Sequence, residues 1–169
     1  RVGRSLGRID PGHPLYGFVR GMYAFGLEEA GHYELAEAHG LAAVDANPDD
    51  VWATHAVVHV YEMRGQVETG IGFLHQQEPH WTVDNLFTVH NWWHLGLFNL
   101  DLGDDEGALE LYDTRIRPVQ TPIALEMIDA TVLRVPSEAR SGSAKRYSSR
   151  KVMAPAFSIA PAAKSGTPM

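Results

Sequence analysis

The chain has 169 residues, of which 44% are hydrophobic and 21% charged, and this composition fits one globular domain with a modest core. No stretch approaches the roughly 20 apolar residues that a membrane helix needs, and the absence of cysteine excludes disulfides and thiolate metal sites. Nothing near Arg1 resembles a signal peptide, so we expect a cytoplasmic protein without a membrane partner.

The net charge of −7 is unevenly distributed along the chain. Up to Leu133 there are 7 Lys and Arg against 20 Asp and Glu, whereas from Arg134 onward there are 7 basic residues and one acid, Glu138. The acidic part is poorly suited to phosphate backbones, and the basic tail lacks a pattern of interleaved aromatic residues. The charge distribution therefore argues against a nucleic acid partner.

Apolar periodicity and capping residues predict an all-α chain. The helices are expected near 15–30, 33–46, 51–64, 67–78, 84–102 and 105–117, with a further helix near 122–134 covering the apolar flank of the last unit. Asp50, Asp84 and Asp104 are the predicted N-caps, because a short side-chain oxygen can accept from free backbone N–H groups. Residues 1–14 are expected to be an N-terminal segment that precedes the repeats, in a chain whose start is truncated.

Three glycines, Gly31, Gly65 and Gly103, stand at predicted turns between helices. The first two are 34 residues apart, which is the tetratricopeptide period of helix, tight turn and helix. The third unit matches the repeat signature best, through Trp92, Leu95, Gly96, Ala108 and Tyr112. The second unit is weaker because Gly70 replaces the packing alanine. We predict a tetratricopeptide-type solenoid over 15–136, with about three helix-turn-helix units and a capping helix.

The segment 137–169 has a different character. It is rich in Ser, Ala, Pro and Lys and has no sustained period, so it lacks the apolar surface that would offset its ordering entropy. We expect it to be disordered or loosely attached. The abrupt change of charge and the loss of helical period suggest a frameshifted or prematurely ended reading frame.

Four histidines form two pairs at helical spacing, His55 with His59 and His90 with His94. Residues four apart lie on one helix face, and Glu62 extends the stripe of His59 by a further turn. The two pairs fall on the first helices of consecutive repeats, and those helices line the concave surface of such a solenoid. Convergence is therefore expected for Glu28, His55, His59, Glu62, His90 and His94.

Three interpretations of this cluster stay open. Its histidines could hold a divalent metal such as zinc, iron or manganese, with His55, His59, His90 and His94 as the ligands. They could act without a metal as acid–base groups, the candidate catalytic residues being His55, His59, Glu62, His90 and His94. They could also only hydrogen-bond within the solenoid. Glu28, Asn91 and Trp93 are the candidate ligand-binding residues, whereas Trp52, Trp81 and Trp92 are expected to be structural.

The strings GMYAFGLEEAGHYELAE, DVWATHAVVHVYEMRGQVETGI and HNWWHLGLFNLDLGDDEGALELYD resemble the tetratricopeptide repeat protein 38 family over roughly 16–133. The phrase THAVVHVYEMRG followed by HNWWHLGLF is the most specific part. The resemblance implies a fold but does not imply a reaction. It also implies that helical sequence precedes this segment in the full-length protein. Members resemble one another at the positions of His55, His59, Glu62, His90, Asn91, Trp93 and His94.

Three functions follow as hypotheses. The first is a binding module whose concave groove, lined by His and Glu, holds a protein, a peptide or a small ligand of cationic or polar character. The alternative is an enzyme that uses the histidine cluster as a metal site or as acid–base groups. The third is a structural fragment without an activity of its own.

Overall fold

The computed structural model describes residues 2–82 and 87–118, and every regular element within these ranges is a helix. This confirms the predicted all-α class. None of the helices in these ranges is long and apolar enough to cross a bilayer. The elements are α1 Val2–Leu6, α2 Tyr16–Glu28, α3 Tyr33–Ala46, α4 Val51–Met63, α5 Val67–Trp81, α6 Thr88–Leu102, α7 Asp105–Leu111 and a π-helical segment, Tyr112–Ile116.

Helix α5 extends beyond its predicted end at residue 78. It continues through Pro79 to Trp81, although proline lacks a backbone N–H donor. The last turn is held by side chains: the buried Trp81 indole N–H donates to the Leu74 carbonyl at 2.9 Å, and Thr82 Oγ1 donates to the Glu78 carbonyl at 2.7 Å. Tertiary burial of Trp81 therefore carries the helix past the proline.

Several other predictions fall at the margins of the described residues. Residues 1–14 contain the short helix α1, which the sequence pattern did not predict and which packs on α2. Helix α7 is shorter than expected and passes directly into the π-helical segment. The predicted helix near 122–134, the Asp84 cap and the segment 137–169 lie outside the described residues.

The predicted caps and turns within the described ranges are confirmed. Asp50 accepts from the Ala53 N–H at 3.0 Å, and Asp104 accepts from the Gly107 N–H at 2.9 Å. Gly31, Gly65 and Gly103 have φ values of +77°, +64° and +77°. L-residues rarely adopt this left-handed conformation, so glycine suits the end of α2, α4 and α6 in the same way.

Helix α4 lies at the centre of the packing. It contacts α2, α3, α5 and α6, and α6 in turn packs on α5, α7 and the π-helical segment. Small residues permit the closest approaches: a Cβ on Gly21 would lie 3.0 Å from Ala53 Cβ, and a Cβ on Gly40 would lie 2.6 Å from Val57 Cγ2. The largest apolar cluster among the described residues includes Val58, Leu74, Trp81, Trp92, Leu95 and Phe98.

Gly70 lies at a close contact between α5 and α6. A Cβ at this position would overlap the ring of Phe98, which is fully buried. The glycine therefore allows α5 and α6 to approach more closely than alanine would. The absence of the packing alanine reflects this larger partner on α6.

We predict that Gly70→Ala destabilises the fold. Overpacking typically lowers the free energy of unfolding by about 1–3 kcal/mol, which outweighs the better helix propensity of alanine. Gly72→Ala is the matched control on the same helix, because nothing lies within 4 Å of its added Cβ. It should stabilise by about 0.5–1 kcal/mol. Urea denaturation of both variants measures the difference, and equal stabilities would contradict the close approach of α5 and α6.

Candidate functional site

The structure brings the four histidines together between two neighbouring helices. His55 and His59 lie on α4 and His90 and His94 lie on α6, and each can place one ring nitrogen within 4.8 Å of the others. The ring centroids are 4.4 Å apart for His55 and His59 and 4.7 Å apart for both His59–His94 and His90–His94. The four rings thus form one compact cluster of imidazole nitrogens.

Two glutamates lie beside this cluster on different helices, and only one of them forms a hydrogen bond with a histidine. Glu62 of α4 accepts a hydrogen bond from Nδ1 of His94 at 2.7 Å. Glu28, at the end of α2, has its Oε2 3.7 Å from Nδ1 of His59, which is too long for a hydrogen bond. Because the Glu62 carboxylate accepts a hydrogen bond from Nδ1–H of His94, the Nε2 atom of the neutral ring carries the lone pair.

Four ring nitrogens of the cluster are buried without a hydrogen-bond partner among the described residues. This is true of Nε2 of His59, of Nε2 of His94 and of both ring nitrogens of His55. A buried polar group left unpaired costs about 1–3 kcal/mol. The protein itself therefore leaves several lone pairs or N–H groups of this cluster available to a ligand or a water molecule.

Burial sets the charge of these imidazoles. Desolvation, followed by the neighbouring histidines, lowers the pKa of His55 and of His94 well below the ordinary 6.5 and lowers the pKa of His59 to about 3. These histidines are consequently neutral at pH 7. A neutral imidazole offers a lone pair, which is the form required to bind a metal ion.

Burial raises the pKa values of the carboxylates near the cluster, whereas it lowers those of these three histidines. Burial, and then the like charges of Glu29 and Glu62, raise the pKa of Glu28 to about 7. Burial also raises the pKa of Glu62, although His59 and His90 oppose this shift. Within the part of the chain that the structure describes, none of these three glutamates forms an ion pair with Lys or Arg. The described residues thus make the site acidic and give it no Lys or Arg as a counter-charge.

An aromatic wall surrounds the buried end of the cluster. The rings of Phe25 and His55 stack with centroids 5.6 Å apart, and the Trp52 and Phe87 rings lie 5.8 and 5.0 Å from His55. Sequence reasoning missed Phe25 and Phe87 and took Trp52 as purely structural. A signal was present, because an aromatic residue stands three positions before Glu28, before His55 and before His90, on the same helix face.

The remaining candidate residues on α6 have separate surroundings. Trp93 stacks on His90 with centroids 5.2 Å apart and an interplanar angle of 12°, so it walls the cluster. Trp92 instead packs edge-on to Trp81 at 4.7 Å, in agreement with a structural role. Asn91 is fully buried, and neither atom of its amide has a hydrogen-bond partner. Five histidines lie outside the cluster, namely His13, His32, His39, His75 and His80.

Comparison with known proteins adds no assignment to this geometry. No protein-family model matches the chain, and no solved structure matches it. The chemistry of the site follows from its own atoms: four clustered imidazoles, the Glu62 carboxylate that orients His94, and the Glu28 carboxylate, whose Oε2 has no donor among the described residues.

We predict that the metal-free protein loses stability as the pH falls below about 6.5. The pKa values of His55, His59 and His94 are lowered in the folded state, so below their ordinary pKa the unfolded chain binds protons that the folded chain does not. Each such proton contributes about 1.4 kcal/mol per pH unit to the slope. The raised pKa values of Glu28 and Glu62 each oppose this by at most about one proton, which is fewer than the three protons taken up by the histidines of the unfolded chain.

The His55→Leu variant tests this directly. It should reduce the slope by about 1.4 kcal/mol per pH unit when denaturation is followed from about pH 5 to 6.5 in the presence of a chelator. His75→Leu is the control, because His75 is exposed and lies outside the cluster. An unchanged slope in His55→Leu would mean that His55 is protonated in the fold.

Proposed function

We propose that this chain binds a divalent metal ion through His55, His59, His90 and His94. The observation that carries the proposal is the clustering of the four histidines, together with the buried ring nitrogens of His55, His59 and His94 that have no hydrogen-bond partner among the described residues. Imidazole is a ligand that suits zinc and iron, whereas manganese prefers oxygen ligands. Of the metals considered from the sequence, the all-nitrogen set therefore favours zinc or iron.

The Glu62–His94 hydrogen bond supports this proposal. Histidines that bind metals usually donate their second ring N–H to a carboxylate or a carbonyl, which fixes the tautomer and the orientation of the ring. The 2.7 Å contact between Glu62 and Nδ1 of His94 has this form, and Nε2 of His94 is buried without a hydrogen-bond partner. Glu62 is thus a positioning residue for His94.

The charge around the cluster also supports a cation. Arg20 and Arg64 are the basic side chains nearest in sequence to the site helices, and both have other partners: Arg20 donates to His39 at 3.4 Å, and Arg64 pairs with Glu37 at 2.7 Å. Glu28, Glu29 and Glu62 therefore remain without a positive partner among the described residues. A bound divalent ion would supply that missing charge.

The site is open on one side, which bears on whether it is structural or catalytic. His59 and Glu62 retain 22% and 27% of their exposure, whereas His55 and His94 are buried. A bound metal ion with an open position would lower the pKa of a water molecule and polarise a substrate. In such an enzyme the histidines would hold the ion, and Glu62 would keep the His94 ring in place.

The architectural part of the proposal is a tetratricopeptide-type repeat, in keeping with the resemblance to the tetratricopeptide repeat protein 38 family. It is supported by the alternation of the helices, since α4 packs on both α2 and α6, and by the left-handed glycine that follows each of these three helices. We infer that α2, α4 and α6 are the first helices of three successive units.

A second candidate function is a metal-free groove on that solenoid. The observation in its favour is the acidic set Glu28, Glu29 and Glu62 beside the partly exposed His59, which would suit a cationic peptide, a basic protein segment or a small polar ligand. In this case the imidazoles would exchange protons or hydrogen bonds with the ligand. Metal analysis separates the two candidates.

We predict that protein purified without a histidine tag holds zinc or iron and that His94→Ala loses it. Elemental analysis and zinc titration by calorimetry at pH 7 measure this loss. Glu62→Gln should weaken binding about 10–100-fold, because it removes the group that orients His94 without removing a ligand. His75→Ala should bind like the wild type.

The result that would contradict the metal proposal is a folded wild-type protein, verified by far-UV circular dichroism, that binds neither zinc nor iron in the titration. The metal-free groove would then be the function to pursue, and a panel of basic peptides would be the next ligands to titrate.

A further inference from the structure

The two carboxylate–histidine pairs of the site are not equivalent. Glu62 makes a hydrogen bond to His94, whereas Oε2 of Glu28 is buried without a partner, 3.7 Å from Nδ1 of His59. Only 4% of Glu28 is exposed, so bulk water does not solvate its carboxylate freely. A buried carboxylate oxygen without a donor is costly, and no described residue donates to Oε2 of Glu28, so a cation at this position would be stabilised.

The gap between Glu28 and His59 fits a metal ion. Ligand atoms bind zinc at about 2.0–2.2 Å, so two ligands of one ion can lie up to about 4 Å apart. The 3.7 Å separation is within that limit, although it is too long for a direct hydrogen bond. Glu28, Glu29 and His59 can each place one ligand atom within 4.8 Å of the others.

The position of these carboxylates on the fold also favours a cation. Glu28 is the last residue of α2 and Glu29 follows it, at the helix end where the carbonyl oxygens carry partial negative charge. Glu62 is a third carboxylate near these two, and its negative charge contributes to the raised pKa of Glu28. Among the described residues none of the three is neutralised by Lys or Arg.

His59 connects this acidic group to the histidine cluster. Its Nδ1 faces Glu28, whereas its Nε2 is buried, has no partner, and belongs to the ring that lies 4.7 Å from the ring of His94. One imidazole can bind two metal ions, one through each nitrogen, if its ring N–H proton is released to solvent. His59 is the one histidine that belongs to both candidate metal groups among the described residues.

We propose that Glu28 and Glu29 form a second divalent-cation site that shares His59 with the four-histidine site, so that the centre holds two metal ions bridged by one imidazole. This inference rests on the proposed metal-binding function. It assigns Glu28 as a metal ligand, in contrast to Glu62, which orients His94 through a hydrogen bond.

Zinc stoichiometry of the full chain tests the second site. Wild-type protein saturated with zinc and freed of excess metal by gel filtration should retain two equivalents by elemental analysis. Glu28→Gln and Glu29→Gln should each retain one equivalent, because the four histidines are intact. Glu29 is exposed, so its variant should fold even if Glu28→Gln does not. Glu34→Gln, an exposed carboxylate on α3, is the control and should retain two.

Copper provides a second readout of the shared imidazole. Two Cu²⁺ ions bridged by His59 would couple their spins and lose most of their electron paramagnetic resonance signal, whereas Glu29→Gln should show the signal of one isolated Cu²⁺. One zinc equivalent in the wild type, unchanged in Glu28→Gln and Glu29→Gln, would overturn the second site and leave the four-histidine site intact. No bound zinc in the folded wild type would overturn both.

Discussion

Helix α4 packs against four other helices, α2, α3, α5 and α6, and the rest of the described structure depends on this packing. The run from Ala53 to Val58 is buried without interruption, although it contains the polar Thr54 and His55. Glycines on α2 and α3 let those helices approach α4 at close distance. The same approach that builds the core therefore also removes water from the first histidine of the site.

The dry surroundings determine which form the histidines take. In a low-dielectric environment the charged imidazolium is disfavoured, so the lowered pKa values of His55 and His94 follow from packing rather than from any special residue. An apolar residue at position 55 would also pack against Phe25, Trp52 and Phe87, and it would avoid the free-energy cost of burying unpaired ring nitrogens. A ring with two unpaired nitrogens in that shell is a departure from optimal stability, and such departures are typical of functional sites.

Some of this arrangement is visible in the sequence and some is not. Periodicity and glycine spacing predict the helices and the left-handed turns, and the four-residue spacing of the histidines predicts that each pair shares one face. The continuation of α5 past Pro79 depends on the burial of Trp81, and the need for Gly70 depends on the position of Phe98. The difference between the Glu28 and Glu62 contacts is about an ångström, which no sequence period can encode.

The long sequence separation within the site has a consequence for folding kinetics. Glu62 and His94 are 32 residues apart, so their contact forms only after α4 and α6 have docked across the intervening helix α5. Contacts between neighbouring helices are more local and require less loop closure. If α4 and α6 dock after the rate-limiting step of folding, a ligand that binds only the docked pair stabilises the native state but not the transition state. It would then leave the folding rate nearly unchanged and lengthen the lifetime of the native state by slowing unfolding.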